Sequence, residues 1–135
     1  MFASMANKIE ELPIYHKAVA FWSAVNAILE SPRLRRDRRL HEQISNANDS
    51  ITSNMVEGFE QGTDRAFANF LTHSKASLAE VLTRLKQAYF KKHISEEQLK
   101  PQLINGEELG KMLGGFIKYL RRSDWDDRGS QRSPE

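Results

Sequence analysis

Apolar residues recur every three or four positions along four stretches of the chain, the period of an amphipathic helix. The first stretch runs from about Pro13 to Glu30 through Tyr15, Ala18, Val19, Trp22, Val25, Ile28 and Leu29. Pro13 suits a first helical turn, where its missing N–H is not needed, and Ser31-Pro32 ends the segment. The second runs from about Asp37 to Phe59 through Leu40, Ile44, Ala47, Ile51, Met55 and Gly58. Asp37 is its expected N-cap, and Gly58 or Gly62 its left-handed end. The third runs from about Asp64 to Lys92, capped by Thr63 or Asp64. Its stripe is Phe67, Phe70, Leu71, Ser74, Leu78, Val81, Leu82, Leu85, Ala88 and Tyr89. The fourth runs from near Ser95 to near Arg122 through Leu99, Leu103, Leu109, Met112, Leu113, Phe116, Ile117 and Leu120. Ser95 and Gln98 have the spacing of a capping box. Pro101 predicts a kink or a regular helix starting nearer Lys100, and Asn105-Gly106 is a second candidate break.

Alternating strand patterns and internal repeats are absent from the sequence, and the connections are short, so sequential helices should lie antiparallel. The expected fold is all-α, an up-down-up-down antiparallel four-helix bundle over residues 10–122. Residues 1–9 and 123–135 are expected to be flexible ends.

Composition narrows the setting. A chain of 135 residues fits one domain, and 39% hydrophobic with 28% charged residues is ordinary for a globular protein. Without cysteine, disulfides and thiolate metal sites are excluded, which fits a reducing cytoplasm. No apolar run approaches the roughly 20 residues that span a bilayer, so no membrane partner is expected. The opening MFASMANKIEEL lacks a basic stretch followed by an apolar one, so no signal peptide is expected. Net charge is +2, and a pI near 9.0 hints at anionic partners.

The titratable residues do not compose a known catalytic set. His16, His41, His73 and His93 lack metal-ligand spacing, and the paired Glu-x-x-His motifs of di-iron bundles are missing. A phosphate-cradling glycine loop and a nucleophile elbow are missing as well. The chain reads as a non-enzymatic protein with no cofactor.

Two polar features remain. On the second helix Gln43, Ser50, Asn54 and Glu57 form a stripe at the edge of the apolar face, and on the third Ser77, Glu80 and Arg84 do the same. Facing edges could meet as a hydrogen-bonded network that fixes register, with Glu80 and Arg84 paired at i, i+4. The alternative is an enzymatic or small-ligand site between subunits, built around Asn54, Glu57 and Glu80. The second feature is a corner with five arginines in seven positions, Arg33, Arg35, Arg36, Arg38 and Arg39, against Asp37 alone. Guanidinium forks match phosphate, so RNA or DNA backbone binding is the natural hypothesis. No stacking aromatic lies near the cluster in sequence, so sequence-specific reading of single strands is not supported. On the fourth helix Gly106, Gly110 and Gly114, with Gly115, make a bare ridge for close packing within the bundle or against a second subunit.

The string ELPIYHKA, then Gln43, Ser50-Ile51, Asn54 to Gly58 (NMVEG), Phe70-Leu71, Ser77 and Glu80 resembles a bacterial four-helix-bundle family. Its founding members are encoded in intervening sequences of 23S ribosomal RNA genes. The pattern covers about Leu12 to Leu120. The polar signature it carries is Ser50, Asn54, Glu57, Gly58, Ser77 and Glu80. The resemblance implies a homopentamer around a central opening. It also implies kinship with accessory variability proteins of diversity-generating retroelements, which partner a reverse transcriptase and bind nucleic acid through basic surfaces. The chain departs from the pattern before the second helix. The family usually has an aromatic-Pro pair followed by an acidic residue, where this chain has Ser31-Pro32, one extra residue and arginines. The family's cap geometry and acidic corner are therefore not carried over.

Overall fold

Helix starts leave backbone N–H groups without partners, and three of the long helices begin at side chains that take one up. Asp37 Oδ1 accepts from the Leu40 N–H at 3.4 Å, and Thr63 Oγ1 from the Ala66 N–H at 3.2 Å. At the fourth long helix Ser95 Oγ accepts from the Gln98 N–H at 3.2 Å, and Gln98 Oε1 accepts from the Ser95 N–H at 2.8 Å. This is a complete capping box.

The computed structural model describes residues 7–131. A 3₁₀ turn (Ile9–Glu11) leads into α1 (Pro13–Ile28), short α2 (Pro32–Arg36), α3 (Arg38–Glu60), α4 (Asp64–Phe90) and α5 (Glu96–Gln131). The fold is all-α, with four long helices in a bundle. Cross-helix partners give its direction. Trp22 with Asp49 and the Leu29 carbonyl with His41 run α1 against α3. Ile51 with Ser74 and Ser50 with Ser77 run α3 against α4. Thr72 with Arg121 and Leu82 beside Gly106 run α4 against α5. Each pair descends on one helix as it climbs on the other, so neighbours are antiparallel. α1 touches α3 and α5 and stands diagonally from α4.

The core is one apolar cluster drawn from all the helices. Phe67, Leu34, Ile44, Ile51, Met55, Leu71, Leu85, Leu109, Leu113 and Leu120 are among its largest fully buried side chains. Phe67 packs edge-on to Phe59 and Phe116, with ring centroids 5.8 and 5.5 Å apart. On α1 the buried face is Ile14, Ala18, Phe21, Val25 and Ile28, rotated from the expected stripe; Tyr15, Val19 and Trp22 are only partly buried. Trp22 instead donates from Nε1 to Asp49 Oδ1 at 2.8 Å, so the ring stays at the edge where its N–H has a partner.

Several expected boundaries move. Gly58 lies inside α3, buried, and a Cβ there would stand 2.6 Å from Phe70 Cβ and 3.3 Å from Phe67 Cα. It permits the close crossing of α3 and α4, and Gly62, with φ +81°, supplies the left-handed turn. α5 runs unbroken through exposed Pro101 and through Asn105-Gly106, then past Arg122 to Gln131. At Gly106 the missing Cβ leaves room for Leu82 Cδ2, which would lie 2.6 Å from it. Ile9, placed among the flexible N-terminal residues by sequence, is buried. Of the two expected flexible ends, residues 1–6 and 132–135 lie outside the described residues.

Candidate nucleic-acid interface

The arginine corner is built on one buried leucine. Leu34 is fully enclosed, so α2 is pinned to the bundle by its centre, and Arg33, Arg35 and Arg36 around it are exposed. At the same end of the bundle α4 stops. The His93 N–H reaches back to the Ala88 carbonyl at 2.9 Å and the Lys92 N–H to that of Tyr89 at 2.9 Å. Those are the paired bonds of a Schellman motif, whose left-handed position glycine usually fills. Here Lys92 fills it, with φ +64°, the one non-glycine residue at positive φ among the described residues. A side chain in that conformation costs about 1 kcal/mol or more.

Three contacts clamp α2 to this turn. Arg33 Nη1 donates to the Lys92 carbonyl at 3.2 Å, and Ser31 Oγ donates to the His93 carbonyl at 2.9 Å. The third is Asp37, whose Oδ2 accepts from Lys91 Nζ and from His93 Nε2, each at 3.0 Å. A carboxylate can only accept, so His93 carries a proton on Nε2. The bond from Lys91, then that from His93, hold Asp37 down from 3.8 to about 2. The acidic residue of the corner is thus its organiser, both cap and clamp.

The result is an open concavity of about 440 Å³ lined by Arg33, Arg36, Asp37, Lys91, Lys92 and His93. Four basic side chains line it with one carboxylate, itself already shared between two partners. Arg39 lines an adjoining hollow of about 260 Å³ with Gln43, Arg84, Gln87 and Lys91. Arg35 lies 3.8 Å from Glu30, both solvent-exposed, and Arg38 is exposed on the first turn of α3. The corner therefore unites Arg33, Arg36 and Arg39 with lysines from another helix, and turns Arg35 towards its own chain.

The polar signature lies elsewhere, along the α3–α4 seam. Asn54 Nδ2 donates to the Ser50 carbonyl and to Ser50 Oγ, both at 2.8 Å, and Ser77 Oγ donates to Ser50 Oγ at 2.8 Å. Glu57 is exposed and accepts from Gln61 at 3.5 Å, and Glu80 lies 4.0 Å from Arg84. The expected network thus joins the helices through Ser50, Asn54 and Ser77, with both glutamates outside it. The bundle has a second polar pin, absent from the expected stripe. Asn48 is 0% exposed and donates from Nδ2 to the Trp22 carbonyl at 3.0 Å and to Asn26 Oδ1 at 3.3 Å.

With this geometry in hand, a family model described as 23S rRNA-intervening sequence protein matches residues 10–115, most of the chain. The chain belongs to the 23S rRNA-intervening sequence protein family. The matched span takes in the corner, the polar seam and Gly106, Gly110 and Gly114. Comparisons with curated proteins and with solved structures return no match.

The glycine ridge divides along α5. Gly106 packs inside the bundle, whereas Gly110 and Gly114 open, with Gly115, onto a hollow of about 540 Å³ beside Lys75, Lys111 and Lys118. Among the described residues no cluster of three or more His, Asp and Glu is placed to hold a metal. Among the same residues no helix is long and apolar enough to cross a membrane. The residues that sequence reasoning left out of the corner are Lys91, Lys92 and His93. The signal was available, since the one short connection between antiparallel α3 and α4 puts the end of α4 beside the start of α3.

Proposed function

We propose that the protein is a non-enzymatic scaffold, assembled as a homopentamer, that grips the phosphate backbone of RNA or DNA at the α2–α4 corner. The observation that carries the reading is the convergence of Arg33 and Arg36 with Lys91 and Lys92 on one open concavity. The arginine forks suit phosphate oxygens, and the lysines add charge from a second helix. Lys92 supports it further, because a strained residue at a corner of this charge is a feature that stability alone disfavours. Five copies of the corner in one assembly would raise avidity for a long polyanion. The nucleic acid could reach the corner free or presented by a reverse transcriptase. The test is fluorescence anisotropy with labelled mixed-sequence RNA and DNA at low salt. Binding that weakens steeply as salt rises supports the reading, and no binding at low salt overturns it.

A second reading, an enzyme or ligand site between subunits around Asn54, Glu57 and Glu80, is favoured by one observation. An open hollow of about 390 Å³ is lined by Ser50, Asn54, Phe70, His73, Ser77 and Glu80. Against it, Ser50 Oγ already accepts from both Asn54 and Ser77. A metabolite or metal retained by purified protein, released on denaturation and identified by mass spectrometry, would favour this reading.

A further inference from the structure

The hollow that adjoins the concavity has a chemistry of its own. It lies in the seam between α3 and α4, and each helix gives it a guanidinium and an amide, Arg39 and Gln43 from α3, Arg84 and Gln87 from α4. Spacings of i, i+4 and i, i+3 set each pair on one face of its helix. Lys91, two turns past Arg84, adds a third cation. Lys91 and Asp37 line both the hollow and the concavity, so the two share a wall. Donors are in excess here. Arg84 Nη1 donates to Gln87 Oε1 at 3.1 Å, which occupies that oxygen and leaves the amide N–H groups to give. Among the described residues Arg39 and Gln43 have no hydrogen-bond or ion-pair partner. Glu80 stays 4.0 Å from Arg84, beyond hydrogen-bond range, and does not line the hollow. Asp37, the hollow's one carboxylate, is already taken up, Oδ1 by the Leu40 N–H and Oδ2 by Lys91 and His93.

Three cations and two amides thus surround a space whose only acidic group is satisfied. Their complement is a small, oxygen-rich dianion. A phosphodiester within a strand carries a single charge, whereas a phosphate monoester carries about −1.5 to −2 at neutral pH and presents three strong acceptor oxygens. Resting on the backbone-binding reading above, we propose that the hollow takes a phosphate monoester, the phosphorylated end of a strand whose internal phosphates lie on the concavity. Arg39, Arg84 and Lys91 meet its charge, and the Gln43 and Gln87 amides donate to its oxygens. The site distinguishes a strand end that bears phosphate from one that bears a hydroxyl.

The test titrates wild type, Arg39→Gln, Gln43→Glu and Arg36→Gln against one internally labelled strand with a 5′-phosphate, a 3′-phosphate or neither. The readout is the ratio of phosphorylated to unphosphorylated affinity. For wild type a phosphate on one of the ends should tighten binding about ten-fold, the effect of one hydrogen bond to a charged group. Arg39→Gln should lower the ratio. Gln43→Glu, of the same shape, sets a carboxylate against the dianion and should bring the ratio to one. Arg36→Gln, which lines the concavity alone, should weaken all three strands and keep the ratio. Equal wild-type affinity for the three strands, or a ratio that survives in both Arg39→Gln and Gln43→Glu, overturns this inference while leaving backbone binding intact. Adenosine monophosphate should displace the phosphorylated strand only in large excess, and displacement at matched concentration overturns the strand-end assignment in favour of a free nucleotide. Failure of wild type to bind any strand overturns the backbone-binding reading, and this inference with it.

Discussion

Arg33 donates to the backbone carbonyl of Lys92, which ties the short α2 helix to the turn that ends α4. The bond spans 59 residues of sequence and converts two separate basic stretches into one surface. Its acceptor is the carbonyl of a residue in left-handed conformation, so the conformation of Lys92 and the position of α2 are fixed together.

Replacing Lys92 by glycine separates stability from function. Glycine takes positive φ without steric cost, so Lys92→Gly should gain about 1 kcal/mol in chemical denaturation. The same variant loses one cation and should bind nucleic acid more weakly. Lower stability in Lys92→Gly would show that the side chain itself holds the corner.

Acid should loosen this corner in a defined window. Asp37 is held below its ordinary value, so its clamp contributes stability in full above about pH 4, and that contribution fades as pH falls towards about 2. Asp37→Asn keeps a capping side chain and abolishes the titration. Melting curves between those pH values should fall more steeply for wild type than for Asp37→Asn. Parallel curves would contradict the assignment.

Asn48→Ala strips the Trp22 carbonyl and Asn26 of a buried partner and leaves a gap between α1 and α3. Its cost should be roughly 1–3 kcal/mol by thermal or urea denaturation. Glu57→Ala, exposed and paired only at 3.5 Å, should stay within about 0.5 kcal/mol of wild type. Reversal of that order would place the structural weight of the signature on Glu57.

The ridge on α5 tests assembly. Native mass spectrometry of wild type should give five subunits. A Cβ at Gly114 would lie 3.5 Å from Lys75 Nζ, ordinary contact, so Gly114→Leu should fold. If Gly110 and Gly114 meet a neighbouring subunit, that variant should give a lower mass. An undiminished pentamer would move the contact elsewhere.

The helices were legible because apolar period, caps and breakers agreed. Asp37, Thr63 and Ser95 cap as their residue types require. The exposed end of α5 was harder to read, since SDWDDRG carries no apolar stripe and its helix rests on continuation from Arg122. The buried face of α1 was misread because Trp22 looks like core until its N–H finds Asp49. Asn48 was missed for the opposite reason, a polar side chain on the buried face with a carbonyl waiting across the helix interface. At the site the arginines were visible as a run, but local sequence could not show that Lys91 and Lys92 stand beside them. That neighbourhood follows from topology alone.

A corner that grips phosphates shows itself in the slope of log affinity against log salt. Each phosphate contact contributes about 0.9 to the slope on duplex and about 0.7 on a single strand. Arg36→Gln with Lys92→Gln removes two cations from the concavity while Arg33 continues to hold the turn. That variant should stay folded, lose affinity and flatten the slope by about 1.4 on a single strand. An unchanged slope with unchanged affinity would place the nucleic-acid surface away from this corner and contradict the account.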